Sequence, residues 1–137
     1  LGINGKISEL QAAMGLAVFP YMEKIHFERK HIVDRYQSEL KWESYQSLKI
    51  RESVTWNYSY FPILFDSEKL LLEFEQKLNN SSIFPRRYFH PSLNTIEYTG
   101  NQSMPISEGI SKRILCLPLG TNYSNEEISL IIKTIND

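Results

Sequence analysis

The chain has 137 residues, the usual size of a single domain with one hydrophobic core. Its 42% hydrophobic and 23% charged residues are ordinary for a globular protein and exclude collagen-like and disordered classes. The 15 basic and 16 acidic side chains leave a formal net charge of -1, so no global field attracts the chain to nucleic acid or to an anionic membrane. We therefore expect one packed domain over residues 1–137 that binds neither.

The single cysteine, Cys116, excludes an internal disulfide framework and a multi-cysteine zinc site. It lies in an apolar run at residues 114–117, so we expect a small buried hydrophobic side chain there. His26 and His31 are five residues apart, which places them on different sides of a helix, and no metal site is expected. No apolar stretch approaches the ~20 residues that span a bilayer. These features favour a reducing, cytoplasmic setting.

Residues 8–40 predict an almost continuous helical segment. Ser8 is a suitable N-cap, and apolar residues recur at helical spacing behind it. Pro20 either opens a second helix or kinks a single long one. Gly15, among small residues, suggests close approach by another element. Since the chain opens with Leu1, in a stretch that reads as a loop entering this helix, we expect a fragment of a longer protein.

Short strands are expected beyond the helical segment. Residues 47–51 predict a brief strand, and residues 58–65 are the strongest strand candidate because they are rich in aromatic and β-branched side chains. Pro62 makes the candidate at residues 58–65 either an edge strand or a strand with one unpaired position. Asp66 and Ser67 then cap a third helix that ends at Asn79 and Asn80.

The rest of the chain alternates between loop, helix and strand. Residues 83–90 are expected to be extended, and a loop with little to fill a core follows them. Residues 107–113 fit a short helix, residues 114–117 a buried strand, and Ser124 begins a capping box before a last helix. The sum is an α+β domain with a small, mostly antiparallel sheet covered by helices.

The polar stretch before the first helix is a candidate anion site. Residues 2–9 combine two glycines, the amide of Asn4 and the cation of Lys6 ahead of a helix N-terminus. Such a turn can present the Asn4 side chain, backbone N–H groups and the helix dipole to an anion. It can equally be a plain helix-entry loop.

A second candidate is the sequence FPRRYFHP at residues 84–91, called the arginine segment from here on. The guanidinium groups of Arg86 and Arg87 can each grip a phosphate with two hydrogen bonds, and Tyr88 offers a ring face to a sugar or base. His90 adds a further polar group. The alternative is an extended strand with its arginines in solvent.

Four segments resemble one family in order along the chain. Residues 2–16 resemble the Gly-x-Asn-x-(Lys/Arg)-x-Ser-Glu motif of DegT-type nucleotide-sugar aminotransferases, which use pyridoxal phosphate (PLP). Residues 58–62, 86–93 and 106–119 also resemble the C-terminal third of that family. The resemblance implies a type I aminotransferase fold, in which this chain is the smaller, C-terminal α+β domain and a large PLP-binding domain lies upstream.

The resemblance also implies an activity. Family members form homodimers and move an amino group, usually from glutamate, onto a keto-sugar carried by a nucleoside diphosphate, for a surface polysaccharide. The form of the arginine segment is similar to members that act at the 4-position of a 4-keto-6-deoxyhexose.

By the same resemblance, Asn4 reaches the PLP phosphate in the partner subunit's site, and Lys6 faces a phosphate or solvent. Arg86, Arg87, Tyr88 and His90 lie near the nucleotide sugar. The lysine that holds PLP lies upstream in relatives, so no catalytic residue is assigned here and the fragment alone is expected to be inactive. A different reading is a freestanding α+β module in which the arginines and aromatic residues bind a phosphorylated metabolite or a protein.

Overall fold

A computed structural model describes residues 5–137. This range forms an α+β domain, as predicted, with a small antiparallel sheet and helices around it. The elements are α1 Glu9–Val18, α2 Met22–Glu39, β1 Tyr45–Ser47, β2 Phe61–Phe65, α3 Glu68–Asn80, α4 Pro105–Ser111, β3 Ile114–Leu117 and α5 Asn125–Asn136. No helix in this range is both long and apolar enough to cross a membrane.

The helical segment at the start follows the sequence prediction. Ser8 caps α1, since its Oγ accepts the N–H of Gln11 at 3.2 Å while the Gln11 side chain accepts the Ser8 N–H at 2.8 Å. A 3₁₀ turn containing Pro20 joins α1 to α2. No residue of α1 is buried, and a side chain at Gly15 would meet no atom within 4 Å. Within residues 5–137, the close approach predicted at Gly15 is therefore not seen.

The sheet has the order β1-β2-β3, with both pairs antiparallel. The predicted strand at 47–51 was wrong, because β1 runs from Tyr45 to Ser47. Tyr45 is buried beside Phe65, with ring centroids 5.5 Å apart. This packing places the start of β1 at Tyr45. Leu48 and Ile50, which lie within the predicted strand, are exposed instead.

Pro62 sits in the central strand, so the edge-strand alternative was wrong and the unpaired-position alternative is confirmed. β1 ends at Ser47, which pairs with Ile63. No residue of β1 therefore stands opposite Pro62. On the other side Pro62 faces Cys116, whose N–H and carbonyl are both bonded to Arg86. Pro62 therefore costs no ladder hydrogen bond.

The alternation of side chains gives the sheet two faces. On the inner face, Phe61, Ile63 and Phe65 of β2 and Leu115 and Leu117 of β3 are at most 3% exposed. They form one apolar cluster with residues of α2, α3 and α5. In this cluster lie Ile32, Val33, Tyr36, Leu71, Leu78, Ile128, Ile131, Ile132 and Ile135. The outer face carries Pro62, Leu64, Ile114 and Cys116.

The later elements agree with the sequence in kind more than in extent. Of the extended run predicted at 83–90, only Arg86 pairs with the sheet, through a bridge to Cys116. The predicted short helix begins earlier, at Pro105, and ends at Ser111. The strand Ile114–Leu117 and the Ser124 capping box are confirmed, and Cys116 is buried as expected.

Candidate functional site

Arg86 lies at the free side of β3. Its N–H donates to the Cys116 carbonyl at 3.1 Å, and the Cys116 N–H donates to the Arg86 carbonyl at 2.8 Å. Because residues directly opposite each other in an antiparallel pair share a face, Arg86 stands with Cys116 on the outer face of the sheet. Its side chain is exposed. The backbone is thus fixed while the guanidinium remains accessible.

Arg86 borders a pocket of about 330 Å³, called the small pocket from here on. Tyr60 and Tyr88, which both line it, form an edge-to-face pair with ring centroids 5.4 Å apart. Tyr123 and Cys116 also line it. Burial raises the pKa of the Cys116 thiol, and a hydrogen bond from the Tyr88 backbone opposes that rise. The thiol is therefore neutral at physiological pH, and Arg86 supplies the charge of this pocket.

Arg87 points the other way, as expected for the next residue of an extended chain. Its Nη2 donates to Glu68 Oε1 and to the carbonyl of Lys112, both at 2.9 Å. The Arg87 side chain is only 18% exposed, and its Nε is buried with no partner within the described range. The hydrogen bond from Arg87 holds the pKa of Glu68 below its ordinary value. The sequence prediction grouped the two arginines, whereas the structure gives them different surroundings.

The remaining predicted residues are dispersed. His90 is exposed, and its backbone N–H donates to the Arg87 carbonyl at 3.1 Å. Lys6 is exposed in the stretch before α1 and lines neither the small pocket nor the larger one described next. Asn4 lies outside the described residues. Arg86 and Tyr88 are thus the predicted pair that the structure brings together in one pocket.

A larger, open pocket of about 750 Å³ lies on the other side of Tyr88. Its lining is mainly apolar and includes Phe89, Leu93, Ile106 and Ile110. Several of these side chains are strongly exposed. The arginine segment therefore separates a polar pocket from an apolar one.

A buried polar network supports the wall of the larger pocket. Asn94 Nδ2 donates to Glu108 Oε1 and to the Gln102 carbonyl, both at 2.6 Å. Ser92 Oγ donates to Asn94 Oδ1 at 2.5 Å and is 2.8 Å from Ser107 Oγ. A backbone hydrogen bond from Met104, followed by that from Asn94, lowers the pKa of Glu108. This network satisfies the buried polar atoms of a loop that the sequence suggested could fill little of a core.

Sequence reasoning missed two contributors to the site. Glu68 is the first residue of α3, where an acidic side chain is ordinary, so nothing in the pattern marked it as the partner of Arg87. Tyr60 was predicted as part of the strand candidate at residues 58–65 and of the family-like segment at 58–62, without a role in the site. The pairing of Tyr60 with Tyr88 joins residues 28 positions apart, and no local signal reports such a contact.

The lysines of this chain differ from the lysine that a PLP site requires. A lysine that bonds PLP needs a desolvated pocket, but every lysine of the chain is exposed except Lys77, which is half-buried beside the ring of Phe74. The residues described here therefore do not fit the covalent part of a PLP site.

Comparison with known proteins defines the class. Residues 1–136 match the DegT/DnrJ/EryC1/StrS aminotransferase family. The chain belongs to this family.

Individual members of the family and solved structures are similar to this chain. The chain is 32% identical over 143 residues to the dTDP-4-amino-4,6-dideoxy-D-glucose transaminase of Escherichia coli, covering 98% of this chain and 38% of that protein. The aminotransferase TlmJ of Streptoalloteichus hindustanus has a similar fold, with a TM-score of 0.85, 18% identity, and coverage of 98% of this chain and 37% of its own. The PMP-form of the sugar aminotransferase Spr1654 of Streptococcus pneumoniae gives a TM-score of 0.83 at 23% identity, over 96% and 35% of the two chains. This chain spans well under half the length of each.

Proposed function

We propose that this chain is the C-terminal small domain of a PLP-dependent aminotransferase that aminates a keto-sugar linked to a nucleoside diphosphate. The sugar proposed is a dTDP-linked 4-keto-6-deoxyhexose, and glutamate is the amino donor. The family and the 32% identity to a dTDP-amino-sugar transaminase support this proposal. The active form would be a cytoplasmic homodimer.

The exposed guanidinium of Arg86 beside the Tyr60–Tyr88 ring pair is the observation that carries the proposal. A guanidinium fork matches two oxygens of a diphosphate, and its charge persists at every physiological pH. The two rings contact each other edge to face, and the ring surfaces that they leave exposed suit the apolar side of a sugar or a base. In this proposal Arg86 binds the diphosphate and Tyr88 packs against the attached ring. His90, outside the small pocket, is proposed to lie near the nucleotide sugar, and Lys6 is proposed to face a phosphate elsewhere in the assembled enzyme.

The cofactor belongs to the rest of the proposed enzyme. When bound, PLP would supply the chemistry that carries an amino group from the donor to the keto-sugar. The exposure of the lysines in this chain supports a PLP lysine located upstream, and with it the inactivity of the 137-residue chain alone. Asn4 is proposed to donate to the PLP phosphate in the partner subunit's site.

Exposed apolar side chains on α1 support the proposed assembly. Leu10 is 72% exposed, Met14 60% and Leu16 76%. A ten-residue helix is marginally stable in water when nothing packs against it. A helix that is apolar on several sides is typical of a position inside a larger structure. We propose that the upstream domain and the partner subunit cover α1.

Replacing Arg86 tests the nucleotide-sugar site. In the full-length enzyme, Arg86→Ala should raise KM for the nucleotide sugar by roughly ten- to a hundredfold, because one charge-assisted contact is lost. PLP absorbance should be retained. Arg51→Ala, which removes an exposed arginine far along the sequence, is the matched control and should leave KM unchanged. An Arg86→Ala enzyme with unaltered KM would rule out this role.

The Asn4 proposal is tested by complementation between subunits. Asn4→Ala should weaken PLP retention by about 1 to 2 kcal/mol, since a neutral amide is one of several groups that hold the phosphate. A mixed dimer of this variant with one lacking the upstream PLP lysine would have both defects in one site and none in the other. Activity should then reappear in the mixture. Verified mixed dimers that remain inactive would assign Asn4 to its own subunit's site or to none.

A further inference from the structure

We infer that Arg87 is a positioning residue, which holds the arginine segment so that Arg86 and Tyr88 face the small pocket, and which does not itself bind substrate. This inference rests on the proposed function, because it explains how that function's binding residues are oriented.

The contacts of Arg87 leave little of its guanidinium for a ligand. Both hydrogens of Nη2 are engaged, one by Glu68 Oε1 and one by the Lys112 carbonyl. The Nε atom of Arg87, which carries one more hydrogen, is buried. At most Nη1 is left for a ligand, so Arg87 cannot offer the two-nitrogen fork that a diphosphate favours without giving up its present partners.

The two partners of Arg87 belong to different elements. Glu68 is the first residue of α3, and Lys112 follows the last residue of α4. A single nitrogen therefore ties the arginine segment to the start of one helix and to the end of another. Displacement of Arg87 would break both connections together.

Anchoring at Arg87 is transmitted to its neighbours through the backbone. On one side, Arg86 exchanges two hydrogen bonds with Cys116. On the other side, the His90 N–H donates to the Arg87 carbonyl and closes the turn that carries Tyr88. Since Arg86 and Tyr88 flank Arg87 and point to the opposite side, an anchored Arg87 fixes the direction of both.

Cys116 provides a direct readout of this anchoring. It is the only cysteine of the chain, it is buried, and Arg86 and Tyr88 line the same pocket. Because the arginine segment covers much of Cys116, loosening of that segment should speed the modification of the thiol by dithiobisnitrobenzoate.

The test uses the native 137-residue chain for thiol kinetics and the full-length enzyme for KM. Arg87→Ala and Glu68→Ala should each speed Cys116 modification by about three- to tenfold, since a partly exposed ion pair is lost. Each should raise KM for the nucleotide sugar with a smaller change in kcat. The double variant should be no worse than either single one, because both remove the same connection. Glu73→Ala, which removes an exposed carboxylate from α3, is the control and should change neither quantity.

Conservative variants keep the test decisive if an alanine variant fails to fold. Glu68→Gln retains an acceptor for Arg87 and should give a smaller increase in the thiol rate than Glu68→Ala. A thiol rate that is unchanged in both Arg87→Ala and Glu68→Ala would overturn the inference.

The two proposals fail in different ways. A raised KM in Arg87→Ala, with no change of KM or thiol rate in Glu68→Ala, would show that Arg87 binds substrate directly and would overturn the positioning role alone. Faster thiol modification in both variants, with normal KM in Arg86→Ala, would overturn the nucleotide-sugar site while supporting the anchor.

Discussion

The two faces of the three-stranded sheet differ in how this chain covers them. On the inner face, alternate residues of β2 and β3 are almost completely buried in one cluster with α2, α3 and α5. On the outer face, the arginine segment and α4 leave two open pockets and an exposed guanidinium at Arg86. Adjacent residues of one strand thus have different roles. Inner residues stabilise the domain, and outer residues are available for recognition.

The largest expected effect comes from substituting neighbouring residues of β3. Leu115→Ala should lower the free energy of unfolding by about 2 to 5 kcal/mol, because it opens a cavity in a fully buried site. Cys116→Ala, one residue further and on the outer face, should cost about 1 kcal/mol or less, since it removes one sulfur atom from beneath a surface segment. Urea unfolding of both variants measures the difference. Equal losses would mean that both faces belong to the stabilising core.

A smaller effect on stability is expected from the ion pair between Arg87 and Glu68. The hydrogen bond from Arg87 lowers the pKa of Glu68 in the folded chain, so the charged carboxylate stabilises the fold above its ordinary pKa of 4.5. This contribution should disappear as the pH falls through the lower, folded-state pKa. The stability difference between the parent chain and Glu68→Gln, measured by urea unfolding, should therefore shrink in acid. A difference that stays constant with pH would mean that the Glu68 charge has no role.

The sequence predicted elements set by local signals better than those set by packing between distant residues. Helix caps at Ser8, Ser67 and Ser124 and the strand at 114–117 are local signals, and each is confirmed. The start of β1 was missed because it depends on the packing of Tyr45 against the distant rings of Phe65 and Phe74, which no local pattern contains.

The candidate site was located by sequence but not resolved into its parts. The arginine segment stood out because charged and aromatic residues alternate there between two prolines. The different surroundings of Arg86 and Arg87 depend on Cys116, Glu68 and Lys112, which come together only through the fold. Two adjacent and identical residues carry no sequence signal that tells the anchored one from the exposed one.

In the proposed enzyme, the outer face at the arginine segment meets the nucleotide part of the substrate. Hydrogen exchange of the full-length enzyme, with and without saturating dTDP, tests it most directly. The account predicts slower exchange in peptides that contain residues 84–91 and 114–119, and unchanged exchange in α5. Slower exchange elsewhere in the enzyme, with none at residues 84–91, would contradict it.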